Sequence, residues 1–164
     1  MKDFYKSIDN LIDNKEEFVI ATILQKAGSA PREEGAKMLI KKDSSILGTI
    51  GGGLVEALVI KSATRVFENG KMLIEEYNLS NKDAAQLGMV CGGNLRVLLE
   101  YVDPNDENTK KLYKKIIKLQ NANKDFIIIT EIPTDKRDDS ILEKWIYTKK
   151  ELKDIQEQNL DTIV

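Results

Sequence analysis

Phe18-Val19-Ile20-Ala21-Thr22-Ile23-Leu24 is the stretch whose reading decides the fold. It is a nearly continuous apolar run, and four of its residues are β-branched. That pattern predicts a strand buried on both faces. Upstream, Phe4, Ile8, Leu11 and Ile12 recur at i, i+4, i+7 and i+8 and predict an amphipathic helix over 3–14. Downstream, residues 27–35 carry Gly28, Pro31 and Gly35 and read as a loop. Met38-Leu39-Ile40 and the run 46–50 flank the polar turn Lys42-Asp43-Ser44-Ser45, the pattern of a hairpin.

Gly51-Gly52-Gly53 then opens a helix from about 54 to 68, with Val55, Val59, Ala63 and Val66 as its inward stripe and Asn69-Gly70 as its stop. Residues 72–79 read as a strand interrupted by Glu75 and Glu76, and Ser80 and Asp83 are placed to cap a short helix through Leu87. Leu95, Val97, Leu99 and Tyr101 alternate with Arg96 and Glu100, which predicts a half-buried strand. Asp103-Pro104 predicts a helix start, Asp as N-cap and Pro at the first position, with Leu112, Ile116 and Leu119 facing inward. Residues 126–130 read as another buried strand, and the charged tail beyond them has no clear pattern. Together these elements predict one compact α/β or α+β domain, a mixed β-sheet of about five to seven strands flanked by helices.

The 164 residues suffice for one domain with a real core, and a hydrophobic fraction of 41% with 32% charged residues predicts a globular chain. Lys plus Arg number 25 and Asp plus Glu 27, so no basic excess draws the chain to nucleic acid or an anionic membrane. No apolar run is long enough to span a bilayer, and the N-terminus lacks a signal-peptide pattern, so the cytoplasm is the expected compartment. There is no histidine, which removes His-based triads and His metal ligands, and the single cysteine, Cys91, makes no internal disulfide.

Three glycine-bearing segments adjoin the strands: 27–32, 48–53 and 88–94. A glycine run between strand and helix can curl its N–H groups into an anion-binding nest, reinforced by the helix N-terminus. Gly51, Gly52 and Gly53 fit that description, Thr49 and Ser29 can add hydroxyls, and Arg32 can add a fixed charge. A tight turn where helix packs close to strand explains the same triple glycine, which is neither GxGxxG nor Walker A. Cys91 is open to two readings as well: a small buried hydrophobe, or a thiolate ligand whose flanking glycines leave the sulfur uncovered. Glu56, in the first turn after the glycines, is most simply a favourable N-terminal charge.

In order, Ala21-Thr22, Gly28-Ser29-Ala30-Pro31-Arg32, Gly35-Ala36-Lys37-Met38-Leu39, Gly48-Thr49-Ile50-Gly51-Gly52-Gly53-Leu54-Val55-Glu56 and Gly88-Met89-Val90-Cys91-Gly92-Gly93 resemble the XdhC/CoxI family over about residues 18–102. The resemblance implies an XdhC/CoxI-like core domain at 1–102. It implies an accessory protein rather than an enzyme, one that binds the molybdenum cofactor (molybdopterin) transiently, protects it, assists its sulfuration and inserts it into a xanthine dehydrogenase-type apo-enzyme. The apo molybdenum hydroxylase and a cysteine desulfurase are the partners it implies, and a homo-oligomer is expected. It implies Cys91 as the metal ligand, with Gly92, Gly93, Gly51, Gly52, Gly53, Thr49, Ser29 and Arg32 as cofactor-binding residues. The chain has Leu54 where many relatives carry a cysteine. Relatives also commonly continue into a Rossmann-like domain, whereas residues after Val102 offer no glycine-rich dinucleotide loop. Residues 103–164 are therefore expected to be a βα-type extension that either continues the same domain or leads into a missing or separate Rossmann-like part. Two other functions stay open: a Cys91-dependent enzyme acting on a phosphorylated small molecule, and a ligand-free scaffold that recruits the apo-enzyme.

Overall fold

The computed structural model describes residues 2–28, 32–79, 93–132 and 142–160. Along the chain run α1 (Lys2–Asp13), β1 (Phe18–Ala27), β2 (Lys37–Lys41), β3 (Ile46–Gly48), α2 (Gly53–Asn69), β4 (Leu73–Asn78), β5 (Asn94–Val102), α3 (Glu107–Asn121), β6 (Phe126–Thr130), β7 (Lys144–Thr148) and α4 (Lys149–Leu160). The main sheet has the order β3-β2-β1-β5-β4, and β6 and β7 form a separate two-stranded sheet. β1 is hydrogen-bonded on both edges, to β2 and to β5, and both its faces are covered by packed elements, which is why its sequence is apolar on both. The expected class of sheet and helices in one compact domain is what the structure shows. The expected mixed sheet is not: every described pairing is antiparallel. Short connections such as the turn joining β2 to β3 impose that direction.

Strand alternation sorts the core into two layers. Val19, Ala21, Ile23, Met38, Ile40, Val97 and Leu99 face α2 and meet its buried stripe of Val55, Val59, Ala63 and Val66. Phe18, Ile20, Leu39 and Val102 face the other way and pack with Ile8, Leu11 and Ile12 of α1, Tyr113 and Ile116 of α3, and Ile146 of β7. α2 ends at Gly70, in the left-handed region as its sequence predicts.

Three expectations are corrected. Asp103 does not cap α3; its carboxylate accepts from the Asn105 N–H in a local turn, and the helix begins later, at the N-cap Asp106, whose side chain accepts from the Thr109 N–H. Residues 126–130 are not a fully buried strand: Ile127 and Ile129 are 44% and 43% exposed, because β6 pairs only with β7 and covers one face. The charged tail is structured as β7 and α4, joined by a capping box in which Thr148 and Glu151 bond each other reciprocally. The short helix expected at 84–87 lies outside the described residues.

Between α2 and β4, the Glu75 carboxylate accepts from Ser62, Tyr77 and Arg65. Burial on its own raises the Glu75 pKa, but those three hydrogen bonds outweigh it and hold the carboxyl below its ordinary value. Glu17 is lowered by hydrogen bonds from Lys42 and Tyr101, and Asp106 by those from Thr109. A carboxyl whose folded pKa is depressed contributes stability above its unfolded pKa and loses it as pH falls through the folded one. The melting temperature is therefore expected to stay level from pH 7 to about 5 and to fall steeply below about 4.5. Glu75→Gln should flatten part of that slope in a calorimetric pH series; an unchanged slope would remove Glu75 from the linkage.

Candidate functional site

Strand direction decides where the glycine segments lie. β1 runs toward Ala27, β3 toward Gly48 and β4 toward Asn78, while β2 and β5 start from that end. In register, Ala27 stands opposite Asn94, Asn94 opposite Asn78, and Gly48 opposite Met38. The connection after β1, the Gly48–Gly53 link and the β4–β5 connection thus all open at one end of one sheet. Ile50, which enters the triple glycine, Leu79 and Leu95, which flank the β4–β5 connection, and Val55 of α2 belong to one buried cluster.

Of the residues singled out in the sequence, Cys91, Gly92 and Ser29 lie outside the described residues. Gly93 is buried at the foot of the β4–β5 connection, where its carbonyl accepts from the Leu79 N–H at 2.8 Å. Arg32 is exposed in the connection that returns to β2, which is pinned to β1 by the Gly35 N–H on the Ile23 carbonyl at 2.8 Å. Gly51, Gly52 and Gly53 have φ of 148°, 78° and 52°, a curl that only glycine adopts freely.

Two donors of that curl already have acceptors. The Gly52 N–H donates to Glu56 Oε1 at 3.0 Å, and the Gly51 N–H donates to Thr49 Oγ1 at 3.2 Å. The Thr49 hydroxyl in turn donates to the same Glu56 Oε1 at 2.6 Å. Gly52 is the N-cap of α2, and Glu56 reaches back to it from the first turn. Sequence reasoning saw Glu56 as a favourable charge; its direct bonds to Thr49 and Gly52 were not legible. The only signal was an acid four residues past Gly52, in reach of a helix N-terminus.

A cleft of about 370 Å³ at this end of the sheet is lined by Gln25, Ala27, Glu76, Asn78, Asn94 and Arg96. These residues project from three adjacent strands beside the feet of two of the glycine connections. A larger cleft of about 540 Å³ lies away from the loops, over Glu100, Tyr113 and Lys144. Among the described residues no group of three or more His, Cys, Asp or Glu side chains could hold a metal ion, and no helix is long and apolar enough to cross a membrane.

Comparison with known proteins points in one direction. Residues 11–78 match the model of the XdhC and CoxI family. The chain is 30% identical over 116 residues to a Bacillus subtilis protein named as a probable xanthine dehydrogenase subunit, a match covering 71% of this chain and 35% of that one. It is 37% identical over 82 residues to the uncharacterized protein YqeB of Escherichia coli, covering 50% of this chain and 15% of that one. A crystal structure described as a xanthine dehydrogenase from Bacillus halodurans superposes with a TM-score of 0.66 at 28% identity, covering 79% of this chain and 38% of that one. The chain thus spans about a third of the length of the Bacillus relatives.

Proposed function

Over residues 11–78 the chain carries the XdhC and CoxI family pattern, and on that premise we propose that it is an accessory protein of a xanthine dehydrogenase-type molybdenum hydroxylase. In this reading it binds the molybdenum cofactor, protects it during sulfuration and passes it to the apo-enzyme, without catalysing a reaction of its own. The supporting observation is the gathering of the three glycine-bearing connections at one end of one sheet. In this reading Cys91 is the soft donor suited to a molybdenum centre, flanked in sequence by Gly92 and Gly93, and Ser29 and Arg32 supply a hydroxyl and a positive charge. The cofactor also carries a phosphate, and the triple glycine does not fit that group as it stands, because the Gly51 and Gly52 donors and the Thr49 hydroxyl are engaged within the chain. The apo-hydroxylase and a cysteine desulfurase are the proposed partners, the cytoplasm the proposed compartment and a homo-oligomer the proposed assembly.

Expression in a cofactor-producing host, followed by pterin fluorescence and metal analysis of the purified protein, tests the reading. The wild-type chain should carry pterin and molybdenum. Cys91→Ser should lose at least about tenfold of that occupancy, the equivalent of 1.4 kcal/mol or more in binding, while its melting temperature hardly changes. A Cys91→Ser protein destabilised by roughly 1–3 kcal/mol, the cost of burying a hydroxyl, yet still loaded with cofactor, would end the ligand role.

A further inference from the structure

Gly51, Gly52 and Gly53 have the backbone curl of an anion nest, with φ of 148°, 78° and 52°, but the nest is filled from inside. We infer that the triple-glycine loop of this chain is closed to oxyanions, with the Glu56 carboxylate as its resident anion. Glu56 Oε1 accepts from the Gly52 N–H at 3.0 Å and from the Thr49 hydroxyl at 2.6 Å, and Thr49 Oγ1 accepts from the Gly51 N–H at 3.2 Å. The Gly51 and Gly52 N–H groups and the Thr49 hydroxyl, three of the donors an incoming phosphate would use, are thereby committed. The bonds to Glu56 are charge-assisted, and the carboxylate is tethered one helical turn away, so it competes at high effective concentration. An approaching phosphate would also meet a like charge at close range. The polarity of this corner is thus the reverse of what its glycines suggest: it presents an acceptor, and a ligand group placed here must be neutral or a donor. Glu56 is a positioning residue that sets the shape of the loop and excludes anions from it.

The inference stands apart from the accessory reading, since its test uses inorganic phosphate and two backbone amides. Phosphate titrated to tens of millimolar into ¹⁵N-labelled protein should leave the Gly51 and Gly52 amide resonances without a saturable shift. In Glu56→Ala the Gly52 N–H loses its acceptor, and phosphate should then shift that amide saturably at millimolar concentration. A saturable shift of either amide in the wild type would overturn the inference, and so would a Glu56→Ala protein as silent as the wild type. If Glu56→Ala fails to fold, Glu56→Gln keeps the shape and removes the charge. Its Gly52 amide should respond to phosphate more weakly than an open loop would, and complete silence there would overturn the inference too.

Discussion

Gly48→Ala is expected to destabilise the fold by about 3 kcal/mol or more, well above the cost at the other turn glycines. Gly48 ends β3 with φ +85°, a conformation that costs an L-residue roughly 1–2 kcal/mol. The second part of the cost is steric. A Cβ built there would stand 2.6 Å from the Lys37 carbonyl oxygen, and that atom is backbone of the paired strand. A flexible side chain could swing aside; the β2–β3 ladder can only move as a unit, and Met38 and Leu39 beside it are fully buried. Gly35 is the control, with φ of +82° and nothing within 4 Å of where a Cβ would stand. Its alanine variant should lose only the conformational part, about 1–2 kcal/mol. Urea denaturation of the two variants measures the difference. Equal losses at Gly48 and Gly35 would show that the ladder yields without cost.

The elements that were legible in the sequence are those whose side chains report burial through spacing. β1 declared itself by apolar residues on both faces, and α2 by Val55, Val59, Ala63 and Val66 followed by Gly70. What misled was local chemistry with two outlets. Asp103 can cap a helix or close a turn, and Asp106 took the cap, so the helix moved downstream. The strand 126–130 looked buried because its residues are apolar, yet exposure depends on what packs against each of its faces, and only the Phe126 and Ile128 face meets the core. The tail held a readable signal in Thr148 and Glu151, a capping box obscured by the surrounding charges. At the candidate site, the three glycine segments were visible but their common end of the sheet follows only from the strand pairings. That Glu56 turns back on Gly52 depends on a rotamer, which spacing permits without requiring.

Lys144→Ala is expected to cost about 3 kcal/mol, the lower end of the range for stranding a buried charge, because the pair lines a cleft. Lys144 opens β7, and its ammonium meets both carboxylate oxygens of Glu100 on β5, with each side chain only 13% exposed. The Tyr5 and Tyr113 phenols are raised above their ordinary pKa by burial first and by the Glu100 charge second, so both phenols stand close to that carboxylate. Lys37 donates to Thr22 Oγ1 at 2.8 Å instead; burial lowers its ammonium, Lys144 adds to that and Glu100 opposes it. Removing Lys144 therefore leaves Glu100, largely covered on the wall of the cleft, without its bonded counter-charge. It also cuts a polar bridge between the main sheet and the β6–β7 sheet, which otherwise meets the core through Phe126, Ile128 and Ile146. Lys144→Met keeps most of the apolar stem and should lose nearly as much as alanine, because the missing charge dominates. Adding Glu100→Leu to Lys144→Met should recover most of the loss, since apolar replacement of a whole buried pair is often neutral. Chemical denaturation through the double-mutant cycle reads the coupling directly. A loss below about 1 kcal/mol for Lys144→Met, the value of a solvated surface pair, would mean that water reaches Glu100 and that packing alone holds the two sheets together.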